Sequence, residues 1–497
     1  MADIAGLQGL STPSVNTLVA AYGNDMVNLT TGKGYGVNLT PGYDVQFDTL
    51  LGSLFFQNSV DPMRSFNGTI WSNKHCLRPP LGALIKVWRS RQRMYVGKPT
   101  IQGTNYPSRI WYCDFPNNDT IQWGFEYGNN LQTYANSPTI ASANAGFKTY
   151  GIKVGDPLFI LTGKDIGQYT VLSVDADQQI TLTDPLTTTD TTIQYWAGGN
   201  YFDIGPDDGD YLQWMEENND FLMCFKRDSL YKINQSDGSS ITKIRGAFGT
   251  TSGRSVQNLH EITIYWYQGV GLATGFYAFN GLYSQKISAP IDNHIHAMTN
   301  QSLAPVAWRE GELYRCFIGD LFDSTYDINL TNAVATWDYT TKTWSIDPID
   351  NVPIVASEFR QDILKYAYFG TNTNQVMVTP KGSTYNGKPT PFSVSLSTIY
   401  PAGPANVCVF TRLQVISHDM HGTQIQYRLH LKPFDTDEEF RDLGQITRER
   451  TEFRFLLRNA QASGIEFRLL GLDGQPLEGR IDKMMLFYKP KSDVISG

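Results

Sequence analysis

Short aromatic-rich hairpins recur along this 497-residue chain, and their recurrence constrains the fold more than any other feature. The stretch DFLMCFKRDSLYKINQSDG (220–238) contains an alternating strand, a basic turn, a second alternating strand and an Asp-Gly turn. The same order returns downstream in 260–288, 311–320 with 333–350, and 362–382, and it occurs upstream in 53–72 and in 84–97 with 108–123. The repeat length of about 40–50 residues is typical of the blades of a β-propeller.

The composition supports many short strands. The chain has 27 Tyr and 26 Phe, which suit half-buried pleated surfaces, and 44 Gly and 24 Pro, which supply turns. A single hairpin sheet leaves its edges and both faces uncovered, whereas radial stacking hides them. We therefore predict an all-β protein with a β-propeller-like core of about 5–7 blades. A pair of ordinary β-sandwiches is the alternative.

Two segments interrupt the repeat. Residues 147–186 hold a compact set of strands separated by Gly-Lys-Asp and Asp-Ala-Asp turns, which is typical of a small β-barrel inserted into a blade loop. From about 387 the strands lengthen and carry more charge, which predicts an antiparallel β-sandwich with an outward face bearing Arg412, Arg428, Arg454, Arg458 and Arg468. The predicted domains are an N-terminal arm (1–40), the propeller-like core (41–135 and 200–386), the inserted barrel (136–199) and the sandwich (387–497).

Signals of catalysis or of a cofactor are weak. The sequence has no G-x-S-x-G, G-x-x-x-x-G-K-[ST] or H-E-x-x-H motif. His294 and His296 would share one face of a strand, but a structural zinc site normally needs four ligands. The five cysteines are widely spaced, which favours reduced thiols. We therefore expect a non-enzymatic protein with no catalytic residue, metal or cofactor.

Charge and hydropathy narrow the class of partner. The formal net charge is −8, and no long basic run is present, which argues against tight binding to a phosphate backbone. The N-terminal segment lacks the basic and apolar regions of a signal peptide, and no apolar stretch approaches the length of a membrane span. These features predict synthesis in a cytoplasm and no insertion into a membrane.

The order of segments resembles the tail nozzle or tail hub proteins of short-tailed bacteriophages. The resemblance rests on the N-terminal GLQGL, the hairpin GSLFFQN, the stretch KRDSLYKI…GAFGTTSGRSV…FYAFNGLYSQKIS (226–288) and the final RIDKMMLFYKP, and it covers about 40–490. It implies a structural protein of the phage tail, located in the virion. Such a protein forms a homo-oligomeric ring, typically a hexamer, below the portal and adaptor ring proteins. The ring retains packaged double-stranded DNA, contacts it transiently as it is ejected, and adjoins tail fibre or spike proteins.

Two acidic or polar loops are candidates for a lumen surface or gate in such a ring. The first holds Asp207, Asp208 and Asp210, and the second holds Asn117, Asn118 and Asp119. An acidic wall repels passing DNA over the screening length of about 8–10 Å. Solvated turns are the simpler interpretation of both loops.

Four arginines are candidates for a subunit interface. Arg89, Arg91 and Arg93 alternate along KVWRSRQRM, so they would lie on one strand face opposite Trp88. Arg254 lies in a Gly- and Thr-rich connection. An edge strand protected by charge explains the first three equally well.

Two other functions remain open from the sequence. One is a receptor- or glycan-binding tail module, since exposed aromatic rings of propellers and sandwiches can stack on sugars. The other is a propeller glycoside hydrolase, which uses paired carboxylates.

Overall fold

A computed structural model describes most of the chain. The described residues are 4–11, 15–72, 76–116, 121–218, 220–298, 305–323, 328–349, 351–361, 364–379, 384–385, 388–389, 393–396, 398–403, 406–418, 420, 422–430, 439–455, 461–471 and 480–491. The chain divides into two compact units, 1–378 and 379–497.

The described part of the first unit contains seven antiparallel sheets whose strands follow one another in sequence, and we call these sheets blades 1–7. Blade 1 is β1 (Ile4–Ser11), β2 (Asn16–Tyr22), β3 (Asp25–Asn28) and β4 (Lys33–Gly34), and blade 2 is β5 (Gln46–Leu50), β6 (Ser53–Gln57), β7 (Arg64–Phe66) and β8 (Trp71–Ser72). The short strand β9 (Cys76–Leu77) precedes blade 3, which begins with β10 (Leu81–Trp88), β11 (Arg93–Ile101), β12 (Thr104–Asn105) and β13 (Arg109–Tyr112).

An inserted domain separates β13 from the last strand of blade 3. It follows β14 (Ile121–Gln122), which pairs with β9. Its strands are β15 (Glu126–Thr133), β16 (Thr139–Ser142), β17 (Pro157–Ile160), β18 (Gly167–Ala176), β19 (Gln179–Leu182) and β20 (Asp190–Ala197). They close into a barrel in the order β15-β16-β19-β18-β17-β20, since β20 also pairs with β15. The chain then returns to blade 3 as β21 (Tyr201–Asp203).

The remaining blades repeat the pattern. Blade 4 is β22 (Leu212–Asn218), β23 (Phe221–Lys226), β24 (Leu230–Ile233) and β25 (Ile241–Lys243), and blade 5 is β26 (Gln257–Leu259), β27 (Ile262–Tyr267), β28 (Gly275–Phe279) and β29 (Ser284–Lys286). Helix α1 (Asp292–His296) precedes blade 6, which is β30 (Val306–Glu310), β31 (Leu313–Asp323), β32 (Ile328–Asp338) and β33 (Trp344–Pro348). Blade 7 is β34 (Pro353–Gln361), β35 (Leu364–Thr371) and β36 (Val376–Val378).

The seven blades close into a ring through their first strands. Strand β1 contacts β5, β5 contacts β10, β10 contacts β22, β26 contacts β30, and β30 contacts β34. Blades 4 and 5 meet where the 3₁₀ turn 253–255 touches β22. The ring closes where β34 packs on β1, with Ile4, Leu7 and Val355 buried together. The prediction of an all-β, β-propeller-like fold is confirmed.

The second unit is an antiparallel β-sandwich. The hairpin β37 (Thr384–Tyr385) and β38 (Lys388–Pro389) precedes it. One sheet contains β39 (Ser393–Ser395), β41 (Gln424–His430), β42 (Arg441–Gln445) and β45 (Gly464–Leu470). The other contains β40 (Cys408–His418), β43 (Arg450–Arg454), β44 (Gln461–Ala462) and β46 (Arg480–Pro490). Phe410 and Leu413 of one sheet and Ile425 and Ile465 of the other share a buried core.

The observed boundaries differ from those predicted. Residues 1–40 were predicted to be an arm, but strands β1–β4 of this segment form blade 1, because Val19, Ala21 and Met26 supply an apolar face that packs into the ring. The closed barrel spans 126–197 instead of 136–199, and the second unit begins at 379 instead of 387.

The two histidines considered as metal ligands lie in a helix. His294 and His296 belong to the short helix α1 instead of a strand.

No helix in the described part of the chain has the length and apolar character needed to cross a membrane. Cys113, Cys224, Cys316 and Cys408 are free and buried.

Candidate functional site

Every blade contributes to the cavity on the ring axis. It has a volume of about 300 Å³. Its lining includes at least one polar or charged side chain from the first strand of each blade, among them, in order, Gln8, Asp48, Lys86, Glu216, Gln257, Arg309 and Ser357. Because these strands are separated by tens of residues, only ring closure brings these groups together.

A three-residue ion-pair network crosses the wall of this cavity. Lys86 Nζ lies 2.6 Å from Glu216 Oε1 and 4.0 Å from Asp48 Oδ2, so it joins blades 2, 3 and 4. Burial disfavours the charged ammonium, but the charges of Glu216 and Asp48 outweigh burial and raise the pKa of Lys86. The two neighbouring carboxylates therefore stabilise the charged form of the Lys86 ammonium inside the protein.

Hydrogen bonds fix both carboxylates of the network. The backbone N–H of Val87 donates to Asp48 Oδ2 at 2.8 Å. Glu216 accepts from Trp214 Nε1 and from Asn258 Nδ2, each at 3.1 Å. These hydrogen bonds orient both carboxylates in the wall of the cavity.

Arg89 extends the same network. Its guanidinium lies 2.5 Å from Asp48 Oδ1 and 3.0 Å from Glu217 Oε2. Glu217 also accepts the backbone N–H of Arg89 at 2.8 Å. Arg89 was predicted at a subunit interface, and the structure places it at the axial cavity, half exposed and paired within its own chain.

The predicted strand face of three arginines does not form. Strand β10 ends at Trp88, residues 89–91 form a 3₁₀ turn, and β11 begins at Arg93, because Gln92 adopts a left-handed conformation (φ 50°) that closes the hairpin. Arg91 is exposed and lies over the Trp88 ring at 5.5 Å. Alternation cannot continue through a hairpin turn, so the period-two prediction over 89–93 was wrong.

Arg93 and Arg254 are also engaged within the chain. Arg93 donates to the carbonyl of Ser236 at 3.2 Å and lies over the rings of Tyr112 and Phe115. Arg254 belongs to the turn between blades 4 and 5.

The Arg254 side chain contacts two other segments of the ring. Its Nη2 lies 2.7 Å from Asp44 Oδ1, in the connection between blades 1 and 2, and its Nη1 donates to the carbonyl of Ile354 in blade 7. It also lines the axial cavity. Arg254 therefore links the turn between blades 4 and 5 to two segments that are distant in sequence, and its predicted role at a subunit interface stays a prediction.

The acidic loop predicted to face a lumen organises blade 4. Asp208 accepts from Lys226 Nζ at 2.6 Å and from the Tyr231 hydroxyl at 2.8 Å, and the Lys226 side chain is fully buried. Partial burial opposes ionisation of Asp208, but these hydrogen bonds outweigh it and lower its pKa. Asp210 accepts the backbone N–H of Arg227 at 2.9 Å.

The other predicted gate residues divide into two cases. Asp207 is exposed and, like Asp208 and Asp210, is not among the residues that line the axial cavity. Asn117, Asn118 and Asp119 lie outside the described residues. A lumen or gate role for these residues stays a prediction.

Sequence reasoning missed Asp48, Lys86 and Glu216. Each is a charged residue within the first strand of a blade, in QFDTL, ALIKVW and LQWMEEN. An ionisable residue inside an apolar strand is the signal that could have found them, since such a group is buried only when paired. No group of three or more metal-ligating side chains occurs among the described residues.

Comparisons with known proteins show no family for this chain and only weak structural similarity. No family model and no curated protein matches the sequence. Similar solved structures include the computationally designed Ika8 protein (9% identity, 76% of this chain and 96% of that chain, TM-score 0.37). They also include the phage phi92 endosialidase (11%, 74% and 62%, 0.29) and the N-terminal domain of Nup159 (11%, 76% and 89%, 0.26). Likenesses this weak carry no argument about function. The chain is an all-β protein with a propeller-like core.

Proposed function

We propose that the protein is a structural, non-enzymatic component of a short-tailed phage tail, a nozzle or hub that assembles into a homo-oligomeric ring. In this role it adjoins the portal and adaptor ring proteins and tail fibres or spikes, retains packaged DNA and conducts it at ejection. The proposal rests on the order of segments that resembles this family, and the axial site supports it.

The internal pairing of the axial charges supports the non-enzymatic part of the proposal. Asp48 and Glu216 are matched by Lys86, and Glu217 is matched by Arg89. A carboxylate that is clamped by a cation and by hydrogen bonds contributes rigidity, whereas catalysis needs an acid or base aimed at a reacting atom. The axial cavity is therefore better suited to join blades than to turn over a substrate.

The net charge of −8 fits a conduit. A wall of the same sign as the DNA backbone does not hold the strand that passes it, although salt limits the repulsion to surfaces within about 8–10 Å. Ring assembly repeats this charge around the axis of the oligomer.

The stoichiometry of the purified full-length chain tests the proposal. We expect native mass spectrometry and negative-stain microscopy to show rings of fixed copy number, a hexamer by resemblance, alone or on a portal–adaptor complex. A chain that stays monomeric with and without that complex contradicts the proposal.

A parallel assay addresses the hydrolase alternative. Turnover of an aryl glycoside that is abolished by Glu216→Gln identifies an enzyme and overturns the proposal. No turnover by the wild-type chain is the expected result.

The exposed Arg91 gives a variant for the interface. We expect Arg91→Glu to weaken ring assembly, since it reverses an exposed charge without breaking an ion pair of the described residues. Arg448→Glu reverses an exposed charge in the second unit and serves as the control. Equal assembly of both variants and the wild type removes Arg91 from the interface.

A further inference from the structure

A groove of about 480 Å³ opens between blades 5 and 6, apart from the axial cavity. Neighbouring blades of a ring diverge outward, so the faces of their outer strands are less completely covered than those near the axis. One wall of the groove contains Ile262 and Ala278 of blade 5 and Ile287, which directly follows that blade. The other wall contains Trp337 of blade 6. None of these residues lines the axial cavity.

The floor of the groove is aliphatic. Ile262, Ala278 and Ile287 are only partly buried, although they pack against the core shared by blades 5 and 6. Trp337 borders the groove, but only 4% of it is exposed. The floor can therefore bury an aliphatic side chain, whereas it offers little aromatic face on which a sugar ring could stack.

The charged groups that line the groove are both cationic. Lys286 is satisfied by Asp292 Oδ2 at 2.8 Å and by the carbonyl of Leu272 at 2.7 Å. Lys342 lies over the rings of Trp337 and Tyr339, at 4.9 and 3.5 Å from their centroids.

Lys342 has no carboxylate within ion-pair distance in the described part of the chain. The two carboxylates whose pKa values it helps to lower are otherwise engaged. Asp338 accepts the backbone N–H of Thr340 at 2.7 Å, and Glu261 accepts the Tyr339 hydroxyl. Lys342 is therefore available to an incoming carboxylate.

The rim adds further polar and apolar groups. Asn280 uses its side-chain oxygen to accept the backbone N–H groups of Leu282 and Tyr283, each at 3.1 Å. Leu282 and Tyr283 are 78% and 54% exposed. An exposed apolar rim around an aliphatic floor favours contact with another chain.

We propose that this groove binds a short acidic peptide segment of a partner protein. One large aliphatic side chain of the peptide fills the floor at Ala278 and Ile287, and a flanking carboxylate pairs with Lys342. This binding site lies outside the axial cavity and does not depend on the proposed structural function.

Fluorescence anisotropy with the full-length chain tests the proposal. The probe is a labelled pentapeptide with a central leucine flanked by two glutamates on each side. We expect saturable binding that weakens at least tenfold when the leucine is replaced by serine, and that also weakens in high salt because the carboxylate contact is screened.

Two variants locate the site on the protein. Ala278→Trp fills the floor, and Lys342→Glu reverses the free charge in an exposed turn, so both should weaken binding at least tenfold. Lys164→Glu makes the same charge change on the inserted barrel and should bind like wild type. Lys342→Glu keeps the test valid if Ala278→Trp does not fold.

Three outcomes overturn the proposal. The peptide shows no saturable binding, or both groove variants bind it as well as Lys164→Glu does. The third outcome is that an acidic oligosaccharide binds in a manner that Lys342→Glu abolishes while the peptide does not bind, which assigns the groove to glycans.

Discussion

Arg428 and Glu466 form a buried ion pair inside the second unit, with 2.7 Å between Nε and Oε2. The two residues face each other on the paired strands β41 and β45. His430 Nε2 lies 3.3 Å from the same carboxylate oxygen, so the pair is part of a small polar cluster within the sandwich.

Removing the cation of this pair should destabilise the sandwich. We expect Arg428→Met to lower the free energy of unfolding of the second unit by about 3–5 kcal/mol, because it leaves a buried carboxylate without its partner. Hydrogen exchange measures this by region: protection should fall in β41 and β45 and stay unchanged in blades 1–7. Arg454→Met, at an arginine whose side chain is 85% exposed, is the control. Equal loss of protection in both variants would show that the buried ion pair stabilises the second unit no more than an exposed arginine does.

The axial network makes a comparable prediction for the ring. Lys86→Met should destabilise the first unit by about 2–4 kcal/mol, because it leaves the mostly buried Glu216 carboxylate without its cation, whereas Asp48 keeps Arg89. Chemical denaturation monitored by tryptophan fluorescence measures the change. Lys164→Met replaces an exposed lysine and should shift stability by less than about 0.5 kcal/mol. A Lys86→Met protein as stable as the control would contradict the structural role assigned to the network.

Asp165 predicts an acid-sensitive step in the inserted barrel. Burial opposes its ionisation, but hydrogen bonds from the hydroxyls and backbone N–H groups of Thr187 and Thr188 outweigh burial and lower its pKa. A carboxyl with a lowered native pKa stabilises the fold above its unfolded pKa of about 4, and this contribution is lost as the pH falls through its native pKa.

Asp165→Asn should therefore lower stability at pH 7 and flatten its decline below about pH 4. Thermal melts of the full-length chain from pH 7 to pH 3, followed by circular dichroism, measure both effects. Asp207→Asn, at an exposed aspartate, should reproduce the wild-type profile. An unchanged pH profile in Asp165→Asn would refute the assignment.

Substitutions at two glycines distinguish the energetic cost of a steric clash from the cost of an unfavourable backbone conformation. Gly198 joins the barrel to blade 3 with φ 140°, and a Cβ there would collide with the carbonyl oxygen of Gly124. Gly209 has φ 72° but open space around it. Gly209→Ala should cost about 1–2 kcal/mol through its backbone alone, and Gly198→Ala should cost clearly more. Soluble yield and denaturation midpoints give the comparison, and equal costs would mean that the junction can relax.

The fold class could be predicted from the sequence because the patterns that indicate strands and turns are local. Alternation and turn residues in stretches such as 220–238 are properties of a few consecutive residues, and they predicted strands, hairpins and the inserted barrel. The same locality explains the errors. Alternation was extended through the 3₁₀ turn at Arg91. Blade 1 was taken for an arm because its strands β1 and β2 contain a single aromatic residue, Tyr22, whereas the recognised repeats were rich in aromatic residues.

The burial of charged residues and their pairing between distant segments were harder to predict from the sequence. Arg428 was predicted on an exposed face, but it is buried against Glu466, because charge alone does not reveal whether a partner lies on the neighbouring strand. Arg412 and Arg454 are more exposed, and Arg458 lies outside the described residues.

By itself, the sequence determined that this protein is built of short antiparallel strands, since strand and turn preferences act between neighbours in the chain. Only the tertiary structure decided which charges meet on the ring axis. Lys86 and Glu216 are 130 residues apart, and the closing of seven blades brings them within 2.6 Å. Ion pairing depends on distance in space, which a linear pattern does not contain.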